Sequence, residues 1–230
     1  MGMSHVGAIS RAINESEKDE IDVVNLNAKD GILDRENKRI YFEKRSWGNP
    51  ETVCLTISGN FHHIFGLFEN PVPFRVGDSN TGSVPRDTSL HFVPYDLIYS
   101  HFEENLKAAM NYLEQIHSRF KGANFVHLCS PPPISDEDFL KDNLGQYFEK
   151  NKGRNFAPAD LRMILYNMQS DIYASYAKKL NATFLQPPSS TLDGLGFLAR
   201  EYWNIDPTHG NTAYGRLVLD QIKELKGDVA

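Results

Sequence analysis

The chain has 230 residues, 40% of them hydrophobic and 23% charged, with a formal net charge of −6. That length and balance suit one large globular domain with a sizeable core, spanning residues 1–230, and are far from a disordered chain. The acidic balance argues against general nucleic-acid binding, which needs clustered Lys and Arg, and no apolar stretch approaches the ~20 residues that span a bilayer.

Taken in chain order, strand-like runs alternate with helical patterns. Val6, Ile9, Ala12 and Ile13 set a helical period just after Ser4. IDVVNL (residues 21–26) reads as a strand, and KRIYFE (38–43) as the second strand of a small hairpin, after the turn-rich DRENK. TVCLTIS (52–58) reads as a buried strand that ends in Gly59 and Asn60. Residues 68–94, rich in Pro, Gly, Asn and Ser, read as a long irregular loop near a site. Leu97, Phe102, Leu106, Ala109, Leu113 and Ile116 predict an amphipathic helix over 96–120. NFVHLC (124–129) is a strand stopped by three prolines; ATFLQ (182–186) is another, stopped by two. Helices are predicted over 159–180, with Pro158 at its start, and over 213–225. This alternation predicts a parallel sheet covered by helices.

Cys54 and Cys129 each sit in an apolar run and read as buried thiols, with neither a disulfide framework nor a metal site implied. The opening MGMSHVGAIS has no basic n-region and no apolar h-region, so the expectation for the chain as it stands is a cytoplasmic protein.

Three segments carry residue types suited to chemistry. In NIDPTHGN (204–211), Asp206 and His209 stand three apart in a turn, so a carboxylate can hold one imidazole nitrogen and leave the other as a base. The bland reading is a helix cap supplied by Thr208 or Asn211. In SGNFHH (58–63), Asn60 follows a strand at the sheet edge that holds ligands in open α/β folds, and its amide can donate to an oxyanion. The bland reading is a turn residue. His62 and His63 are adjacent, so their side chains diverge unless the backbone is unusual, and no acidic or Cys cluster accompanies them to hold a metal. In GMSHV (2–6), Ser4 stands where a strand passes into a helix, which exposes its hydroxyl; the bland reading is an N-cap.

Together and in this order, Gly2-Met3-Ser4, Gly59-Asn60 and Asp206-Pro207-Thr208-His209 resemble the blocks of the SGNH (GDSL-like) hydrolase superfamily. Gly2–His5, Gly59–His62 and the run from Asp206 to Asn211 are similar to a bacterial Gly-x-Ser-His subgroup. The resemblance spans nearly the whole chain. It implies a three-layer α/β/α fold with a flavodoxin-like parallel sheet in the order 2-1-3-4-5. It implies a serine esterase acting on short acyl esters of a saccharide or small molecule. Ser4 would be the nucleophile, His209 the base and Asp206 its partner, with Asn60 and the backbone of Ser4 as oxyanion donors. No cofactor and no metal are implied. Two alternatives are an acyltransferase and a binding domain on the same fold without chemistry.

Three departures stand out. Met3 replaces the usual Asp before the nucleophile. Only three residues precede Ser4, where the family has a full strand, so the expectation is either a start site called too late or a fold without that strand. The oxyanion glycine of the second block has no clear counterpart, Gly31 matching by position alone. A literal GDS, Gly77-Asp78-Ser79, follows the Gly-Asn block instead of preceding it, which makes Ser79 a decoy.

Overall fold

The computed structural model describes residues 1–227 apart from 15, 16, 18, 19, 28–31 and 78–90. Gly31, Asp78 and Ser79 therefore lie outside the described residues.

The chain opens with helix α1 (Val6–Ala12), then a hairpin of β1 (Leu33–Asp34) and β2 (Arg39–Ile40). Strand β3 (Thr52–Leu55) leads into the short helix α2 (Phe61–Gly66). β4 (Phe74–Val76) and β5 (His91–Val93) pair in parallel, so the stretch expected to be irregular carries a small two-stranded sheet of its own. Sequence could not show this, because each partner is three residues long and the pairing is non-local. Helix α3 (Tyr95–Arg119), strand β6 (Asn124–Leu128), helices α4 (Glu137–Asp142), α5 (Gly145–Phe148) and α6 (Ala159–Lys179), strand β7 (Thr183–Leu185) and helix α7 (Thr212–Gly227) follow. The long helices have physical ends. Asp96 and Asp160 sit in first turns, and Arg119, Lys178 and Lys179 in last turns, where their charges complement the helix dipole.

The central sheet is parallel, in the order β3-β6-β7. Single bridges extend it: Thr56, just past β3, pairs in parallel with Gly2, and Gly2 pairs in parallel with Asn25. The order Asn25, Gly2, β3, β6, β7 is thus 2-1-3-4-5, with its first two members reduced to one bridge each. The expected strand over 21–26 is reduced to the bridge at Asn25: Val24 O and Leu26 N–H bond to Gly2, while among the described residues Asp22 and Val23 make no backbone hydrogen bond. Gly2 is held so close to β3 that a Cβ there would stand 2.5 Å from the Thr56 carbonyl oxygen.

Alternation along the strands assigns the layers. Val53, Leu55, Phe125 and Phe184 face α3 and α6, joined by Phe102, Leu106, Leu113, Leu165 and Met168. Cys54, Leu128 and Leu185 face the opposite way, toward Ile9 of α1 and Tyr214, Val218 and Ile222 of α7. The result is a mixed α/β fold in three layers. No helix among the described residues is long and apolar enough to cross a membrane.

Arg162 is buried in the first turn of α6, where the sequence pattern gave no reason for a charge. Its guanidinium donates to the carbonyls of Ala157, Ile134 and Ser135, and stands 3.8 Å from Glu137. It fixes the buried turn after β6, whose Pro133 carbonyl accepts from Leu198 N–H. Arg162→Met fills the space but leaves those carbonyls unpaired. A loss of roughly 3 kcal/mol or more is expected in urea unfolding; an unchanged midpoint would show that the turn does not depend on this residue.

Candidate active site

Three elements converge at the carboxyl edge of the sheet. α1 and α7 cross so closely at Gly215 that a Cβ there would lie 2.2 Å from the Ala8 carbonyl oxygen. This crossing brings the start of α1, which follows Ser4 and His5, to the start of α7, which follows His209. The turn after β3 closes from the third side.

The Asp206–His209 loop is held at both ends. Trp203 and Gly210 form an antiparallel bridge, and Asn204 N–H donates to the His209 carbonyl at 3.1 Å. Asn211 caps α7, its Oδ1 accepting from Tyr214 N–H at 3.1 Å. The capping role thus falls to Asn211 and leaves Asp206 for His209. Asp206 Oδ1 accepts from His209 Nδ1 at 2.8 Å, from Thr208 N–H at 2.8 Å and from His209 N–H at 2.9 Å. Oδ2 accepts from Asn204 Nδ2 at 2.6 Å. Burial alone would raise the pKa of this carboxyl; the His209 hydrogen bond and charge, with Thr208 N–H and Asn204, outweigh it and hold the pKa down at about 2. A carboxylate on Nδ1 places the proton there and leaves Nε2 as the lone-pair nitrogen. His209 Nε2 is buried and has no hydrogen-bond partner.

Ser4 is exposed in the turn ahead of α1. Its carbonyl accepts from Gly7 N–H at 3.2 Å, while its own N–H and hydroxyl make no hydrogen bond among the described residues. It caps nothing, so the N-cap reading does not describe it. Ser4 Oγ and His209 Nε2 are not hydrogen-bonded to each other in this structure. Catalytic contacts of this kind are often loose without substrate.

The residue between them is His5, the last residue of the Gly2–His5 motif, to which the sequence reading gave no role. Its ring packs against that of His209, centroids 4.8 Å apart and planes at 50°. Its other face abuts Gly59, where a Cβ would stand 2.9 Å from His5 Cδ2 and 2.8 Å from Ser130 Cβ. The glycine of the Gly-Asn block is therefore required by close approach. Burial, with the nearby His209 and His62, pulls the pKa of His5 down to about 3, so it is neutral at pH 7.

The turn after β3 is strained and clamped. Ser58 has φ 52°, a left-handed conformation that a residue with a side chain rarely adopts. Tyr173 OH donates to the Ile57 carbonyl at 2.7 Å, and Gln169 Nε2 to that of Gly59 at 2.8 Å. Asn60 precedes α2, and its side chain makes no capping bond. His62 and His63 are buried core residues; His62 N–H donates to Gln169 Oε1 at 2.9 Å. Burial lowers the pKa of both, that of His62 to about 4. Among the described residues no group of three or more His, Cys, Asp or Glu is arranged to hold a metal ion. Cys54 and Cys129 form no disulfide.

Of the aromatics near these loops, Phe68 and Phe197 are buried, and Phe65, Phe74, Tyr202 and Trp203 pack against the core. Pro131–Ile134 is buried too. These residues fill the interior. In the Asp206–His209 loop Ile205 is an exposed apolar side chain, 82% exposed.

No protein-family model and no curated protein matches the chain. Among solved structures it is similar to one from Streptococcus pneumonia named provisionally as a platelet activating factor, at 14% identity and a TM-score of 0.47. That match covers 79% of this chain, which spans 62% of the length of the other.

Proposed function

We propose that this chain is a serine esterase of the SGNH type, acting on short acyl esters of a saccharide or other small molecule. The observation that carries the reading is the Asp206–His209 pair: a carboxylate on Nδ1 and an unpartnered Nε2, one histidine ring away from the Ser4 turn. Ser4 Oγ attacks the ester carbonyl and His209 Nε2 takes its proton. The Ser4 N–H and the Asn60 amide, neither engaged elsewhere, receive the oxyanion. The imidazolium returns its proton to the leaving alcohol. A water, activated by the same nitrogen, then frees Ser4. Asp206 remains ionised throughout, which stabilises the imidazolium.

A series of p-nitrophenyl esters from acetyl to octanoyl tests the substrate side. The expected order has acetyl fastest, with release of p-nitrophenol in a burst equal to the enzyme present. A preference for octanoyl would overturn the short-acyl assignment, and no turnover of any ester by folded protein would overturn the esterase.

Asn60→Ala is expected to lower kcat by about 10²–10³-fold, some 2.7–4 kcal/mol of transition-state stabilisation, with KM nearly unchanged. The donor matters once the carbonyl oxygen carries charge, so the effect belongs to kcat. Wild-type kcat in this variant would remove Asn60 from the site.

A further inference from the structure

The polar contacts that hold the His209 ring meet it at one corner. Nδ1 lies 2.8 Å from Asp206 Oδ1 and 2.9 Å from Thr208 Oγ1, while Nε2, at the far corner, has no hydrogen-bond partner. A hydrogen bond at one corner is a hinge. The ring can still turn about the line from Nδ1 to Oδ1 and sweep Nε2 aside, unless packing against its face stops it. The ring that packs there is that of His5, centroids 4.8 Å apart and planes at 50°.

His5 is itself backed by fixed atoms. It is buried, and a Cβ on Gly59 would stand 2.9 Å from its Cδ2 and 3.0 Å from its Nε2, so the far side of the ring lies against the Gly59 backbone. That backbone is clamped from α6, where Gln169 Nε2 donates to the Gly59 carbonyl and Tyr173 OH to that of Ile57. His5 also follows Ser4 directly and precedes α1, whose crossing with α7 is set at Gly215. Neither of its ring nitrogens has a hydrogen-bond partner, so its contacts are those of a flat wall. Burial, with His209 and His62 nearby, holds its pKa down at about 3; it is neutral at pH 7 and does not oppose a positive charge on His209.

We propose that His5 is the positioning residue of the base: a rigid flat wall, backed by Gly59, that stops the His209 ring from turning and keeps Nε2 toward the Ser4 turn. This rests on the esterase reading, in which His209 is the base. The effect of losing the wall is geometric, since a displacement of ~1 Å at a reacting group costs about 10²-fold in rate. Substrate binding does not depend on the wall, so the loss belongs to kcat.

The test compares His5→Ala, His5→Leu and His5→Phe with wild type on p-nitrophenyl acetate. Phe keeps a flat ring and loses no hydrogen bond, so its kcat should stay within about threefold of wild type. Ala removes the wall and should lower kcat by about 10²-fold; Leu fills the space without a flat face and should lower it about tenfold. KM should move less than about threefold in all three. If Ala does not fold, Leu and Phe carry the comparison. NMR of histidine-labelled protein reads the ring separately: one sharp set of His209 ring signals in wild type and His5→Phe, and a broadened or doubled set in His5→Leu and His5→Ala. A kcat loss in His5→Phe with sharp, unmoved His209 signals would overturn the proposal, giving the work to the His5 nitrogens. Wild-type kcat and sharp signals in folded His5→Ala and His5→Leu would overturn it too. Folded wild type that turns over no ester would overturn the esterase, and the NMR comparison would still decide whether His5 holds the ring.

Discussion

Ser4→Ala is expected to abolish labelling by a fluorophosphonate and to lower kcat on p-nitrophenyl acetate by roughly 10⁴-fold or more. The reagent reacts with a serine whose proton a base can take, and an ordinary surface hydroxyl reacts too slowly to label. Ser4 is reachable from solvent, and its hydroxyl makes no hydrogen bond that would tie it to the structure. Its removal should therefore change stability by less than about 0.5 kcal/mol, which separates lost chemistry from lost fold. His209→Ala is the paired measurement. Nε2 of His209 is the nitrogen that carries no other partner, so removing it should abolish labelling while Ser4 stays in place. Mass spectrometry of the labelled wild type should find the adduct on Ser4. An adduct on Ser79 would reverse the block order, and labelling that survives His209→Ala would separate Ser4 from its proposed base.

Asp206→Asn should lower kcat by about 10⁴-fold with little change in KM. Asp206 Oδ1 accepts three N–H donors, the backbone N–H groups of Thr208 and His209 and the His209 ring. An asparagine oxygen can still satisfy the backbone donors. Its amide, if turned toward the ring, donates to Nδ1 and moves the imidazole proton to Nε2, where it blocks acceptance from Ser4. The same substitution has a signature in stability. The Asp206 carboxyl is held at about 2 in the folded chain and lies near 4 when unfolded. A depressed carboxyl contributes stability that is present above the unfolded value and is lost as pH falls from about 4 through about 2. Wild type should therefore lose stability over that window which Asp206→Asn does not lose, read as urea midpoints at pH 6 and pH 3. Parallel losses in the two proteins would mean that the carboxylate–imidazole pair is not formed in solution.

The strands β3, β6 and β7 and the long helices were legible in the sequence to within a few residues at each end. Apolar runs stopped by Gly or Pro, and apolar residues at helical spacing, are local properties. The candidate site residues stood in the sequence as three separated blocks, and each block alone fitted a cap or a turn. Tertiary structure assigned the α7 cap to Asn211 and gave Asp206 to His209, because only the folded loop shows which oxygen faces which donor.

By itself, then, the sequence determined the α/β class, the major elements and the residue types available for chemistry. What it left to the tertiary structure were features whose partners lie far along the chain. Residues 21–26 have strand-like side chains, but their pairing comes from Gly2, on Val24 and Leu26, and among the described residues Asp22 and Val23 make no backbone hydrogen bond. β4 and β5 become strands by pairing with one another. Arg162 is buried because the carbonyls of Ile134 and Ser135, far back along the chain, converge on it with that of Ala157. His5 became part of the site's construction when the α1–α7 crossing set its ring against His209 and Gly59. Periodicity records which side of an element is buried; hydrogen-bond partners and ring contacts from distant segments leave no periodic trace, and are decided when the layers pack.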